Sequence, residues 1–207
     1  MVAISNLVKK YGQQVILTIP SFQLAKGIYW VKGANGSGKT TLLKILSGLI
    51  PFEGSVSVDA VSQKQDPLRY RQLISWAEAE PLYPDFLTGD ELLRLYQQVR
   101  KVPGSEMSRL TRLFSITSFT HSKIATYSAG MLKKLSLTLS FIGDTRLILL
   151  DEPFITLDAA ACKQLGAYIA ARYNENNTSF IMSSHQDPRD FLDAFTTLSI
   201  QNQTLSR

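Results

Sequence analysis

The sequence predicts an α/β fold, with a largely parallel core sheet, a small antiparallel β subdomain at the N-terminal end and an inserted α-helical subdomain. Three observations predict it. Residues 33–41 read Gly33-Ala34-Asn35-Gly36-Ser37-Gly38-Lys39-Thr40-Thr41, between a β-branched and aromatic run and an apolar run of helical spacing. Leu147-Ile148-Leu149-Leu150 is a continuous apolar run that ends in Asp151-Glu152-Pro153, the pattern of a strand buried on both faces of a parallel sheet. Between these two stretches the middle third of the chain carries helical spacing and no convincing strand.

From the N-terminus, 2–7, 15–19 and 27–31 are short strand-like runs, separated by Tyr11-Gly12 and by Pro20-Ser21. Tyr11 has two readings of equal weight: an exposed aromatic that stacks on an adenine ring, or a residue packed on a sheet edge. After the glycine-rich stretch, Leu42, Leu43, Leu46 and Leu49 mark a helix. Pro51-Phe52-Glu53-Gly54 is a turn, and 55–59 alternates like an edge strand. Residues 69–72 end a short helix and 73–77 form a buried strand. The acidic passage Glu78-Ala79-Glu80-Pro81-Leu82-Tyr83-Pro84-Asp85 has two prolines and fits neither helix nor central strand. Thr88-Gly89-Asp90-Glu91 is a capping box that opens a helix to about Val99, which Val102-Pro103-Gly104 closes. Residues 105–141 are mostly helical by pattern, with Leu110, Leu113 and Phe114 on one face and a break at 127–130. A strand follows at 146–150, a helix at 158–173, and a strand at 178–184 with His185 at its carboxyl end. The tail, 196–205 around Gln201-Asn202, reads as a closing hairpin.

A chain of 207 residues, 44% of them hydrophobic, can bury one good core. We therefore read 1–207 as one unit, with 1–85 and 143–207 as core and 86–142 as the helical subdomain. The longest apolar stretches fall far short of the roughly 18 residues of a membrane-spanning helix, and the N-terminus has no basic leader followed by an apolar run. The expectation is a cytoplasmic protein. A single cysteine, Cys162, precludes an intrachain disulfide and reads as a small packing residue. It has no metal-ligand spacing to His121 or His185. The net charge of +5 favours an anionic neighbour, a lipid surface or nucleic acid, without choosing between them.

The spacing of Gly33, Gly38, Lys39 and Thr40 is that of a phosphate-binding loop. Glycines let backbone N–H groups wrap phosphates at close range, and the helix that starts near Lys39 aims its positive end at them. Lys39 adds a full charge toward the terminal phosphates, and the Thr40 hydroxyl is a ligand for Mg2+. Adjacent carboxylates would repel one another in a closed site without a cation. Asp151 therefore suits the magnesium shell, and Glu152 suits the polarisation of a water that attacks the γ-phosphate. His185, at the end of a neighbouring strand, is a candidate donor to that phosphate.

With these residues in order, the chain resembles the nucleotide-binding domain of ATP-binding cassette (ABC) transporters over nearly its whole length. The resemblance implies a P-loop NTPase fold with a RecA-like core. Tyr11 falls at the aromatic loop. Residues 33–40 resemble the Walker A motif, which places Gly33, Asn35, Gly36, Ser37, Gly38, Lys39, Thr40 and Thr41 around ATP. Asp151 and Glu152 resemble Walker B, Leu157-Asp158 the end of the D-loop, and His185 the switch histidine. The signature is similar to Tyr127-Ser128-Ala129-Gly130-Met131, a form found among bacterial export-type cassettes. The glutamine that the family carries between the core and the helical subdomain is absent. Only Glu78, Ala79 and Glu80 stand there, and either Glu78 or Glu80 is a candidate for Mg2+ or its water.

The resemblance further implies a homodimer or heterodimer of cassettes that encloses two ATP molecules, with Ser128, Ala129 and Gly130 of one facing the P-loop of the other. It implies a separate integral membrane subunit, contacted near 83–87, and a peripheral position on the inner face of the membrane. The main expectation is the ATPase subunit of a transporter, probed by Glu152 and Lys39 substitutions. Two other readings remain: a soluble cassette protein acting in DNA repair, on ribosomes or in cluster assembly, and a weakly hydrolysing regulatory subunit. No direct nucleic-acid contact is expected.

Overall fold

Alternation along the first strand, β1 (Val2–Tyr11), buries Val2, Ile4, Leu7 and Lys9 on one side of a four-stranded antiparallel sheet. The computed structural model describes every residue except Gln186. The sheet continues with β2 (Gln14–Leu24), β4 (Glu53–Val58) and β5 (Val61–Ser62), in the order β2-β1-β4-β5. Two details depart from the sequence expectation. Pro20 lies inside β2 instead of ending it. β2 is an edge strand, where a missing N–H is tolerated, and the β1–β2 pairing skips the position of Asn6 and Pro20. Strand β5 was not expected. Asp59 and Ala60 both have positive φ, which is the geometry of a two-residue hairpin turn, but Asp-Ala lacks the glycine that would announce it.

The second sheet has six strands in the order β10-β9-β3-β8-β7-β6. Four of them, β3 (Ile28–Lys32), β8 (Ser179–Ser183), β7 (Leu147–Asp151) and β6 (Ile74–Ala77), run parallel, as does β9 (Thr196–Gln201) against β3. Only β10 (Thr204–Ser206) is antiparallel, through the closing hairpin.

The continuous apolar runs serve two faces. Ile28, Trp30, Ile148, Leu150, Phe180 and Met182 join one core cluster. Tyr29, Val31, Leu147, Leu149 and Ile181 join the other. Successive residues of a strand point to opposite faces, so a strand covered on both sides must be apolar at every position. Helix α1 (Lys39–Leu46) and the antiparallel sheet cover the second face. Helices α5 (Ala129–Ser140) and α6 (Ala159–Asn176) cover the first, together with α3 (Gly89–Arg100) and α4 (Gly104–Leu113) of the helical region. Each buried Leu or Ile contributes on the order of 1.5–3 kcal/mol, so the two layers hold the sheet rigid between them. Cys162 is a buried packing residue of α6. The short helix α2 (Pro67–Gln72) leads into β6 and buries Tyr70, whose hydroxyl donates to Leu46 O at 2.7 Å.

The helical region is less helical than its pattern suggests. Between α4 and α5 the chain turns through residues 114–128, with only a short 3-10 segment at Ile124–Thr126. Ser115, Thr117, Ser118, Thr120 and Ser122 crowd this passage, and such side chains compete with the helix for backbone hydrogen bonds. Ser115 itself sits at positive φ. Among the described residues no helix is long and apolar enough to cross a membrane.

Helix α3 starts on the complete capping box. Glu91 N donates to Thr88 Oγ1 at 3.2 Å, and Thr88 N donates to Glu91 Oε2 at 2.7 Å. These bonds from Thr88 hold the Glu91 carboxyl below its usual range. Replacing Thr88 with Ala is expected to lower stability by about 1 kcal/mol in denaturant unfolding. Because the folded-state pKa of Glu91 is depressed, the box contributes fully above the ordinary carboxylate range and is lost as pH falls through the depressed value. The difference between the Thr88→Ala protein and the parent should therefore shrink in acid; a constant difference would show that the box is not what stabilises this end.

Candidate functional site

The glycine-rich loop leaves the end of β3 and enters α1 as the sequence requires. Gly38 is the N-cap, with φ of 103°, a conformation that an L side chain resists. The loop borders a cleft of about 330 Å³ lined by Asn35, Gly36, Ser37, Gly38, Lys39, Thr40 and Thr41 on one side. Glu152, His185 and Ile16 complete the wall. Lys39 is buried and its ammonium donates to Gly33 O at 2.7 Å and to Ala34 O at 3.1 Å. The cation is thus held inside the curl of the loop, where the first-turn N–H groups of α1 also converge.

Across the cleft, parallel pairing sets the carboxylates. Asp151 at the end of β7 is the register partner of Ser183 at the end of β8. Ser183 Oγ donates to Asp151 Oδ1, and the same oxygen accepts from Glu152 N at 3.2 Å. Asp151 is therefore a buried, oriented carboxylate. Glu152 has positive φ (47°), which turns its side chain from the sheet toward the cleft. Its Oε2 accepts from His185 N at 3.1 Å, and its Oε1 lies 3.3 Å from His185 Nε2. Trp30 Nε1 fixes the preceding residue by donating to Ser184 O at 3.1 Å.

The signature-like residues stand elsewhere. Ser128 is the N-cap of α5, accepting from Met131 N at 3.3 Å. A side chain at Gly130 would come within 3.0 Å of Thr156 O, so the loop that follows β7 packs directly on this turn. Ala129, Ser128 and Gly130 do not line the cleft of their own chain. Asp158 caps α6, accepts from Ala161 N at 2.8 Å and lies 3.8 Å from Lys134 Nζ.

The profile of the ABC transporter family matches residues 17–155. The chain belongs to that family. Among curated relatives of the cassette, the ABC transporter ATP-binding protein YdbJ of Bacillus subtilis is 29% identical over 88% of this chain and 60% of its own. The bacitracin transport ATP-binding protein BcrA of Enterococcus faecalis is 28% identical over 87% and 59%. The lantibiotic transport ATP-binding protein SrtF of Streptococcus pyogenes is 30% identical over 89% and 80%. The chain thus spans about 60% of the length of the first two relatives. A solved ATP-binding subunit of an ABC transporter superposes with a TM-score of 0.88 at 24% identity, covering 100% of this cassette and 88% of that chain. A dimeric post-hydrolysis cassette bound to ADP and Pi gives 0.81 at 19%, covering 100% and 97%.

Of the sequence-predicted residues, the cassette brings together the loop, Glu152 and His185, with Asp151 directly behind. Tyr11 lies at the end of β1, half exposed beside Lys9, and the cleft wall on that side is Ile16 of β2. Glu78 accepts from Trp76 Nε1 at 3.2 Å, whereas Glu80 is exposed. The sequence reading missed Ser183, which could have been found as the polar residue that ends the strand before His185. It also missed Lys133, whose ammonium is buried under the site. Replacing Lys39 with Ala is expected to weaken ATP binding about tenfold or more in a fluorescent-nucleotide titration. Equal affinity would contradict the placement of this cation in the phosphate cradle.

Proposed function

We propose that this chain is the ATP-binding and hydrolysing subunit of an ABC transporter of export type. The observation that carries the reading is the convergence of Lys39, Glu152 and His185 on one cleft at the carboxyl ends of three neighbouring parallel strands. In this reading Lys39 and the loop N–H groups bind the phosphates. Glu152, among the described residues the one carboxylate that lines that cleft, polarises the attacking water. His185 holds Glu152 in place and donates toward the γ-phosphate. Ile16 lines the side where the base would rest, and Tyr11, which does not line the cleft, is the proposed aromatic partner of that base.

Hard oxygen donors fit magnesium. The Thr40 hydroxyl is exposed at the start of α1 and Asp151 is oriented by Ser183. No group of three or more His, Cys, Asp or Glu capable of holding a metal occurs among the described residues. That donor set suits an ion that binds through one or two protein oxygens and the substrate phosphates. Thr40 and Asp151 would hold it, with Glu80 as the freer of the two acidic candidates in the 78–80 segment. When bound, the ion supplies neutralisation of charge between the terminal phosphates.

Ser128 and Gly130 lie outside the cleft of their own chain, at a helix N-terminus able to receive phosphate. We therefore assign them to the ATP held by a second copy of the chain. Exposed Leu82 and Phe86 flank the partly buried Tyr83 and Leu87, and this patch is the proposed contact for a membrane subunit. That contact would place the cassette on the inner face of the membrane. The bacitracin and lantibiotic transport relatives support the export reading. The Glu152→Gln protein is expected to bind ATP normally, to lose turnover by about a hundredfold or more, and to accumulate as an ATP-dependent dimer in light scattering. Unchanged turnover would remove Glu152 from the role of base.

A further inference from the structure

We infer that Lys133 is a positioning residue that locks the 78–80 loop and the signature end of α5 to the hydrolytic end of β7. The inference rests on the ATPase reading above for its kinetic consequence, and on geometry alone for the lock. Strands β6 and β7 run in register as far as Ala77 and Leu150, and there they part. At that fork the Lys133 ammonium enters from α5. It donates to Glu78 O at 2.9 Å, to Ala79 O at 3.0 Å and to Asp151 O at 3.1 Å.

An ammonium has three protons, and here each meets one carbonyl, so the group is fully satisfied. It is also 1% exposed, a rare condition for lysine. Burial pushes its pKa down to about 8, against the opposing pull of Asp151, Glu152 and Glu80. No carboxylate lies within ion-pair distance of Lys133 among the described residues. The cation is held by backbone carbonyls, and the site carboxylates act on it from further away.

The lock matters because the segment after Ala77 has left the ladder and is held by side chains and turns. Pro81 and Pro84 remove donors, and Glu78 and Ala79 have left the sheet ladder. Tyr83 gives a second tie to the same helix, through its hydroxyl and Ser136, one turn beyond Lys133. Toward the start of α5, Gly130 packs against Thr156 O, and Lys134 faces Asp158. Helix α5 is thereby fastened both to the loop that precedes the helical region and to the chain that leaves β7. Of these ties, the Lys133 ammonium is the one that bonds both the loop and the residue next to Glu152 directly.

The test compares the parent with Lys133→Met and Lys133→Arg in steady-state ATP hydrolysis and in acrylamide quenching of Trp76, the indole bonded to the locked loop. Trp76→Phe supplies the background from Trp30. Lys133→Met is expected to lower kcat about tenfold or more with KM for MgATP within about twofold, and to make Trp76 more quenchable. Lys133→Arg, which keeps the charge and the donors, should restore both readings to within about threefold of the parent. Parent-like kcat and quenching in Lys133→Met would overturn the inference. So would equal losses in kcat and affinity that Arg does not rescue. If Lys133→Met does not fold, Lys133→Gln is read by the same two measurements with the same criteria. A parent that does not hydrolyse ATP would refute the proposed function, while the quenching comparison would still decide the lock.

Discussion

The ends of the parallel strands decide the rest of this molecule. Ser183 closes β8 and is the register partner of Val31 on one side and of Asp151 on the other. Three strands therefore finish at one rim, and the segments that leave them begin within hydrogen-bond reach of one another. From β3 departs the glycine-rich loop, from β7 the carboxylate pair, and from β8 the segment that carries His185. The Ser183 hydroxyl sits in the middle, donating to Asp151 and accepting from Glu152 N. One hydroxyl thus orients the Asp151 carboxylate and ties the start of the Glu152 segment to the end of β8.

Rigidity of that rim comes from packing on both faces. Alternate residues of each strand enter the two core layers, so a strand cannot slide without exposing one layer and overfilling the other. The polar side chains that line the cleft lie in the segments beyond the strand ends. Lys133 ties one of these segments back to the rim by three carbonyl contacts. Helix α5 packs on the sheet through the core, and the Lys133 ammonium adds a polar tie that meets both the 78–79 carbonyls and the Asp151 carbonyl.

Much of this was legible in the residues themselves. The phosphate loop, the doubly buried strand and the Thr88 cap are local patterns whose physics needs few neighbours, and each lies within a residue or two of its expected place. The Pro20 interruption was misread because tolerance of proline depends on the strand being at an edge, which is a property of the sheet. The passage 114–128 was misread as helix because apolar spacing was weighed above its serines and threonines. Within the site, Asp151, Glu152 and His185 could be named from strand ends. Lys133 could not, because a lysine on a helix reads as solvent-facing until the fold brings Glu78, Ala79 and Asp151 to its tip.

The central claim is that the cleft of one chain is completed by Ser128 and Gly130 of another. Mixing two disabled proteins tests it most directly: one with Lys39→Ala, which spoils the phosphate loop, and one with Gly130→Asp, which places a carboxylate at the signature turn. Neither should hydrolyse ATP alone. A mixed dimer would contain one site with both defects and one with none, so an equal mixture should recover about a quarter of the parent rate if chains pair at random. A mixture as inactive as its components would contradict the account.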